Sequence, residues 1–274
     1  MYRDLLVHVD GSQAGRRRVQ FAVDLAMRMT ARLAGLHVTP PVEVPHRYKP
    51  SLVPKVAAEL SSKLASDARA AATVFQEDAI RRLPDACWFE TAGDVVQGIS
   101  DKARYADLVI LGQYERQGPA ETHPLPIAHS LAVQCGRPVL LVPGDTQPGA
   151  LEKVAIAWDG SREAVRAVHD ALPLLRLARS VQIVTMHTPS AENSEEDEKK
   201  LSEHLTNHGI HVDTGGVRYT ILEEHEALRK QIEQGHFDLL VMGGYSHPLW
   251  LEILFGGATR SILLSSTIPV LVSH

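Results

Sequence analysis

The chain carries one pattern twice, and this duplication limits its fold more than any other feature. Val9-Asp10-Gly11-Ser12 returns as Trp158-Asp159-Gly160-Ser161, Asp107-Leu108-Val109-Ile110-Leu111-Gly112 returns as Asp238-Leu239-Leu240-Val241-Met242-Gly243, and Pro138-Val139-Leu140-Leu141-Val142 returns as Pro269-Val270-Leu271-Val272. The first pair is offset by 149 residues and the other two by 131, so the second copy lacks 18 residues in its middle. A repeat this long is a duplicated domain, and 274 residues suffice for two units that each bury a core. The expected units span residues 1–143 and 151–274. Gly144-Asp145-Thr146-Gln147-Pro148-Gly149 between them is polar and rich in residues that avoid regular structure, as a linker should be.

Each unit alternates strand and helix. Leu5-Leu6-Val7-His8-Val9 is an apolar run stopped by Asp-Gly-Ser, and Ala14 to Leu33 then carries Val19, Val23, Ala26 and Met29 at helical spacing. Strands are expected over 33–38, 87–91, 108–111 and 139–142, and helices over about 54–83, 94–105 and 125–134. In the second unit strands are expected over 154–158, 181–186, 210–217, 239–242 and 270–272, and helices over about 162–178, 194–208, 223–234 and 258–265. The 18 missing residues fall in the second crossover. Such alternation predicts the α/β class, with two repeated open sheets, each five-stranded, parallel and covered by helices on both faces; the strand order taken for each is 3-2-1-4-5. The apolar last strands, Val139 to Val142 and Val270 to Val272, would leave open edges in separate domains. Pairing them predicts an intramolecular pseudo-dimer, on which a further homodimer could be built.

Composition removes several function classes. Hydrophobic content of 44% with 22% charged residues suits a water-soluble globular chain, and no run approaches the roughly 20 apolar residues of a membrane span. The N-terminus, Met-Tyr-Arg-Asp before a short strand, does not read as a secretory leader. Cys87 and Cys135 offer no disulfide framework and no Cys-x-x-Cys, so they are expected to be inert thiols in a reducing, cytoplasmic setting. A net charge of −5 argues against nucleic acid as a partner. Arg16-Arg17-Arg18 is a local basic knot on the first helix, expected to point into water. The run from Glu195 to Lys200, preceded by Ser194, suits a capped, solvated helix face.

In an open α/β sheet a ligand sits beyond the carboxyl ends of the strands where strand order reverses. For order 3-2-1-4-5 that crevice lies between the first and fourth strands, which end at Asp10 and Gly112 in one copy and at Asp159 and Gly243 in the other. Either aspartate could accept hydrogen bonds from a ribose hydroxyl or a base amine, although Asp and Ser are also ordinary turn and cap residues. After the fourth strand the copies part. The second reads Gly243-Gly244-Tyr245-Ser246-His247-Pro248 and later Gly256-Gly257-Ala258-Thr259-Arg260, where glycine amides and a helix start could approach a phosphate. At the same offset the first copy presents Glu115, Leu125, Pro126, Ala128 and His129, and Pro126 has no amide hydrogen to offer.

These residues resemble the universal stress protein family in its tandem form, over nearly the whole chain. Members that bind ATP carry Gly, two residues, Gly, nine residues, Gly and then Ser or Thr, with an Asp at the end of the first strand near the adenine. The resemblance puts Gly243, Ser246 and Gly256 in the three glycine places, Gly257 in the hydroxyl place and Asp159 beside the adenine. Ser246 and Gly257 depart from that pattern, and Thr259 could supply a displaced hydroxyl. The implied nucleotide site comprises Asp159, Gly160, Met242, Gly243, Ser246, His247, Gly256, Gly257, Ala258 and Thr259, with ATP as cofactor. The implied role is regulatory.

Catalytic parts are missing from the sequence. No lysine follows a phosphate-binding glycine loop, and no Gly-x-Gly-x-x-Gly follows a strand. His204 and His208 lie at i and i+4, a two-ligand metal spacing that only His211 could extend; without a firm third ligand such pairs are solvated side chains. His8 and His37 are expected to be satisfied histidines. Two functions of different class remain: a non-enzymatic adenine-nucleotide-binding regulator, and a nucleotide-free scaffold acting through protein partners.

Overall fold

The computed structural model describes residues 1–44, 50–113, 127–147, 149, 151–187, 194–213, 217–220, 235–244 and 266–274. The described elements run, in chain order, β1 Asp4–His8, α1 Gln13–Met29, β2 Arg32–Thr39, α2 Val53–Phe75, β3 Cys87–Ala92, α3 Val95–Ala103, β4 Leu108–Gly112, α4 Ile127–Gln134 and β5 Val139–Val142. They continue with β6 Lys153–Trp158, α5 Arg162–Leu175, β7 Ser180–His187, α6 Ser194–Asn207, β8 Val217–Thr220, β9 Leu239–Gly243 and β10 Val270–Ser273. These strands form one ten-stranded sheet ordered β3-β2-β1-β4-β5-β10-β9-β6-β7-β8. Each half of that order is the expected 3-2-1-4-5, read in opposite directions from the centre.

The centre is the β5–β10 seam. Val270 pairs antiparallel with Leu141, Leu271 with Leu140 and Val272 with Val139, while the described pairings within each half are parallel. All seven residues from Val139 to Val142 and from Val270 to Val272 are buried. Alternation sends Leu140 and Leu271 to one face, with Val7, Val9, Ile156, Val241 and the apolar sides of α1, α2 and α5. Leu141, Val270 and Val272 go to the other face, with Ile99, Ala103, Leu131 and Leu240. Because the seam is antiparallel and the halves are internally parallel, the carboxyl ends of the two sets of strands lie at opposite edges of the sheet.

The repeated aspartates before β4 and β9 are explained by the other end of the strands. Asp107 Oδ2 accepts from the amides of Arg3 (2.6 Å) and Asp4 (3.0 Å), and Asp238 Oδ2 accepts from those of Glu152 and Lys153, both at 2.9 Å. Each clamps the start of the neighbouring first strand. Tyr2 adds a link between the halves, its hydroxyl donating to the Asp170 carbonyl of α5.

Several expected boundaries move, that of the long helix expected over 54–83 among them: it ends at Phe75 and passes into a π-helical turn, Gln76–Ile80. The first helix ends at Met29, not Leu33, because Thr30 takes a left-handed cap at φ 52° and its amide bonds back into the last turn; β2 then starts at Arg32. The third strand of the second half is Val217–Thr220, whereas 210–217 was expected. Among the described residues before it, Val212 forms an isolated bridge to Val181. The expected helices at 223–234 and 258–265 lie wholly outside the described residues. Among the described residues no helix is long and apolar enough to cross a membrane.

Candidate functional site

The Asp-Gly-Ser turn has the same local chemistry in both halves. Asp10 Oδ1 accepts from the Ser12 amide at 2.9 Å, and Ser12 Oγ caps α1 by accepting from the Gly15 amide at 2.9 Å. Asp159 Oδ1 accepts from the Ser161 amide at 2.9 Å and from Ser161 Oγ at 2.6 Å, and Ser161 Oγ accepts from the Ala164 amide at 3.2 Å. One carboxylate oxygen is thus used to shape the turn that launches the helix. The functional difference lies in the second oxygen.

In the first half that oxygen is taken. Arg18 Nη2 donates to Asp10 Oδ2 at 2.5 Å and Arg18 Nε donates to the His8 carbonyl at 2.8 Å. The third side of the guanidinium faces β4, since a Cβ built on Gly112 would fall 1.9 Å from Arg18 Nη1. Arg18 is only 4% exposed. The arginine knot therefore does not simply point into water: Arg16 pairs with Glu77 and Asp78, Arg17 with Asp145, and Arg18 fills the crevice between the ends of β1 and β4. Burial works to raise the Asp10 carboxyl, but the Arg18 charge and hydrogen bonds from Ser12 and Arg18 outweigh it and hold the group well below the usual carboxylate range. Burial, helped by Arg18, pushes His8 down to about 3. His37 is buried, its Nδ1 2.9 Å from the Val9 carbonyl.

In the second half the position of Arg18, carried by the offset of 149, is Ala167. Asp159 is exposed, and among the described residues its Oδ2 has no partner. α5 closes directly on β9: a Cβ at Gly243 would lie 2.5 Å from the Ala164 nitrogen. The turns differ too. A Cβ on Gly11 would meet the Ala70 Cβ of α2 at 2.6 Å, whereas Gly160, at φ +72°, has nothing described within 4 Å. Among the described residues nothing covers the second turn as α2 covers the first. Trp158 stands where the first half has Val9, and its Nε1 is buried without a hydrogen-bond partner among the described residues.

Of the expected site residues, Asp159, Gly160, Met242 and Gly243 are described. Ala157 pairs with Met242, so Asp159 and Gly243 flank one crevice at the carboxyl ends of β6 and β9. The Met242 side chain is buried in the core and leaves only its backbone for a ligand. Ser246, His247, Gly256, Gly257, Ala258 and Thr259 lie outside the described residues, as do Glu115, Leu125 and Pro126. Glu163 was not foreseen. It is a buried acid in the first turn of α5, complementing the helix dipole, with Arg162 Nε 3.2 Å away. The comparison of Ser161-Arg162-Glu163 with Ser12-Gln13-Ala14 was the available signal.

The remaining candidates lie away from both crevices or in their own surroundings. The His204 and His208 rings stack edge-on at 4.7 Å, Arg176 Nη2 approaches His208 Nδ1 at 3.4 Å, and His211 Nε2 lies 3.5 Å from Asp213. A guanidinium beside His208 opposes a cation, and among the described residues no three His, Cys, Asp or Glu side chains form a metal-sized cluster. Cys87 is exposed and Cys135 buried, both as free thiols.

A model of the universal stress protein family matches residues 1–143. The chain belongs to the universal stress protein family. Among solved structures it is similar to a universal stress protein from Archaeoglobus fulgidus DSM 4304, with 17% identity, TM-score 0.71, and coverage of 98% of this chain and 95% of that one. It is also similar to a putative universal stress protein from Pseudomonas aeruginosa UCBPP-PA14, with 14% identity, TM-score 0.63, and coverage of 99% and 93%. At such identities the likeness speaks to fold. No curated protein matches the chain.

Proposed function

We propose that this universal stress protein is a regulatory protein that binds one adenine nucleotide, ATP being the expected ligand, in the crevice of the second half. The reading takes residues 151–274 as the binding domain and residues 1–143 as a domain with a degenerate site. The observation that carries it is Asp159: it sits at the carboxyl end of β6 with an oxygen that no described residue engages, while its counterpart Asp10 is paired with Arg18. A free carboxylate there can accept from a ribose hydroxyl or from the adenine amine. Gly243 and Gly244 begin the glycine-rich stretch that, by family resemblance, would approach the phosphates through Ser246, Gly256, Gly257 and Thr259. Cytoplasmic residence belongs to the same reading and is supported by two free cysteines without a disulfide framework.

The protein is proposed to hold nucleotide rather than turn it over, because the sequence offers no phosphate-binding lysine and the described residues form no metal-sized carboxylate cluster to activate a nucleophile. ATP loss slower than about 1 per second, below usual enzyme rates, is expected. Calorimetry with ATP, alongside mass spectrometry of an acid extract of protein purified without added ligand, tests the reading. One site per chain, weakened at least tenfold by Asp159→Ala, is the expected result. Two equivalent sites contradict the asymmetry, and no binding at millimolar ATP leaves the scaffold function, working through protein contacts.

A further inference from the structure

We infer that Arg18 is the specificity determinant that closes the first crevice, acting as a built-in substitute for ligand donors. This deepens the proposed nucleotide reading and rests on it for the class of ligand concerned. The end of β1 offers two outward acceptors, the His8 carbonyl and Asp10 Oδ2, and a nucleoside would engage such acceptors with a hydroxyl or an amine. Arg18 satisfies both, at 2.8 and 2.5 Å, from a side chain of the same domain. Its charge makes the pair stronger than neutral hydrogen bonds from a sugar or base, and a ligand would have to displace a guanidinium that has no described place to go. Arg18 is 4% exposed and wedged against Gly112, so its removal from the crevice would also leave a gap beside β4.

The second half serves as the internal control. There the same register position is Ala167, which is buried and cannot reach the turn, and the helix start rests on Gly243 itself. At the end of the first strand of each half, the difference is then the state of one carboxylate oxygen: Asp10 Oδ2 is committed, and Asp159 Oδ2 has no partner among the described residues. This closure is independent of the loop after β4. It predicts that restoring a glycine-rich loop to the first half would not by itself restore binding.

The test uses the full chain with adenosine as the probe, which carries no phosphate and so ignores the lost cradle. Asp159→Ala removes the second-half site and provides the background. In it, Arg18→Ala is expected to create an adenosine site at least tenfold tighter than any residual binding, and adding Asp10→Ala is expected to abolish it. A folded Arg18→Ala chain that gains no Asp10-dependent adenosine site overturns the inference. A second measurement needs no substitution: the Arg18 Nε–H resonance of the wild-type chain should be protected from exchange and unmoved by saturating ATP. If ATP shifts it at the first-half turn, the crevice is open and the inference fails. Absence of any ATP binding by the wild-type chain would sink the proposed function, while these Arg18 measurements would still decide the closure.

Discussion

The seam between the halves makes a quantitative demand on stability. Leu140 and Leu271 face each other across β5 and β10, and both are 0% exposed. Truncating either to alanine removes three carbons, about 2.4 kcal/mol at roughly 0.8 kcal/mol per buried methylene, and the cavity left behind brings the expected loss to about 3–4 kcal/mol. If the two side chains share one packed site, the second truncation enlarges an existing cavity instead of opening a new one, and the double variant should fall short of the sum by about 1 kcal/mol. The assay is urea unfolding of the wild type, both single variants and the double variant, followed by tryptophan fluorescence and circular dichroism. Leu33 is equally buried but sits four strands from β10, on the order of 19 Å at the usual strand spacing. The Leu33→Ala and Leu271→Ala pair should therefore be additive within about 0.5 kcal/mol. Additivity of the seam pair to the same precision would refute the pairing of β5 with β10.

Other expectations concern the crevices and their titration. His8 is held at about 3 by burial and by Arg18, so its ring signals should stay flat from pH 8 to pH 5, and a midpoint near 6.5 would contradict its burial. The sign follows from the direction: the unfolded imidazole takes up its proton near pH 6.5 and the folded one only near 3, so this contribution to stability is complete above 6.5 and is lost as pH falls towards 3. Asp10, also depressed, adds a loss that begins below the ordinary carboxylate range near 4, and Arg18→Ala should flatten that acid limb. Gly243→Val should destabilise by at least about 1–3 kcal/mol because its Cβ would meet the backbone of Glu163 and Ala164 within 2.6 Å. Gly149→Ala, whose nearest atom is 3.8 Å away, should change the melting temperature little and serves as the control.

The duplication made the two-domain count and the seam legible in the sequence, because two apolar last strands would otherwise leave open edges. The third strand of the second half was misplaced at 210–217 through reliance on local apolar character. The offset of 131, applied to Cys87, falls on Arg218, inside the observed Val217–Thr220. It also places the missing residues before that strand. Arg18 was illegible for a different reason. Its neighbours Arg16 and Arg17 are ordinary partly exposed helix residues, and nothing in helical spacing says that the third arginine turns inward. Only the comparison with Ala167 hinted that this position differs between the copies. In the same way Asp10 and Asp159 both open an Asp-Gly-Ser turn, and whether the second oxygen is engaged depends on a side chain eight residues later.

The antiparallel seam bears on how independent the two crevices are. It joins the halves through apolar strands while sending their carboxyl ends to opposite edges, so the carboxyl ends of the first-half strands, where Arg18 sits, lie on the far edge from the crevice at Asp159. From β1 to β6 the sheet order counts five strand spacings, roughly 24 Å, before the separation between opposite edges is added. Substitutions that far apart with no shared partner usually act independently to within about 0.5 kcal/mol. Arg18→Ala is therefore expected to leave the affinity of the second-half site within about twofold of wild type, even though it lowers overall stability by exposing the crevice beside Gly112. Calorimetry on the variant at a temperature well below its melting transition checks this. A tenfold change in second-half affinity would mean that the sheet transmits the state of one crevice to the other, and that the halves form a coupled device instead of two sites evolving separately on a shared core.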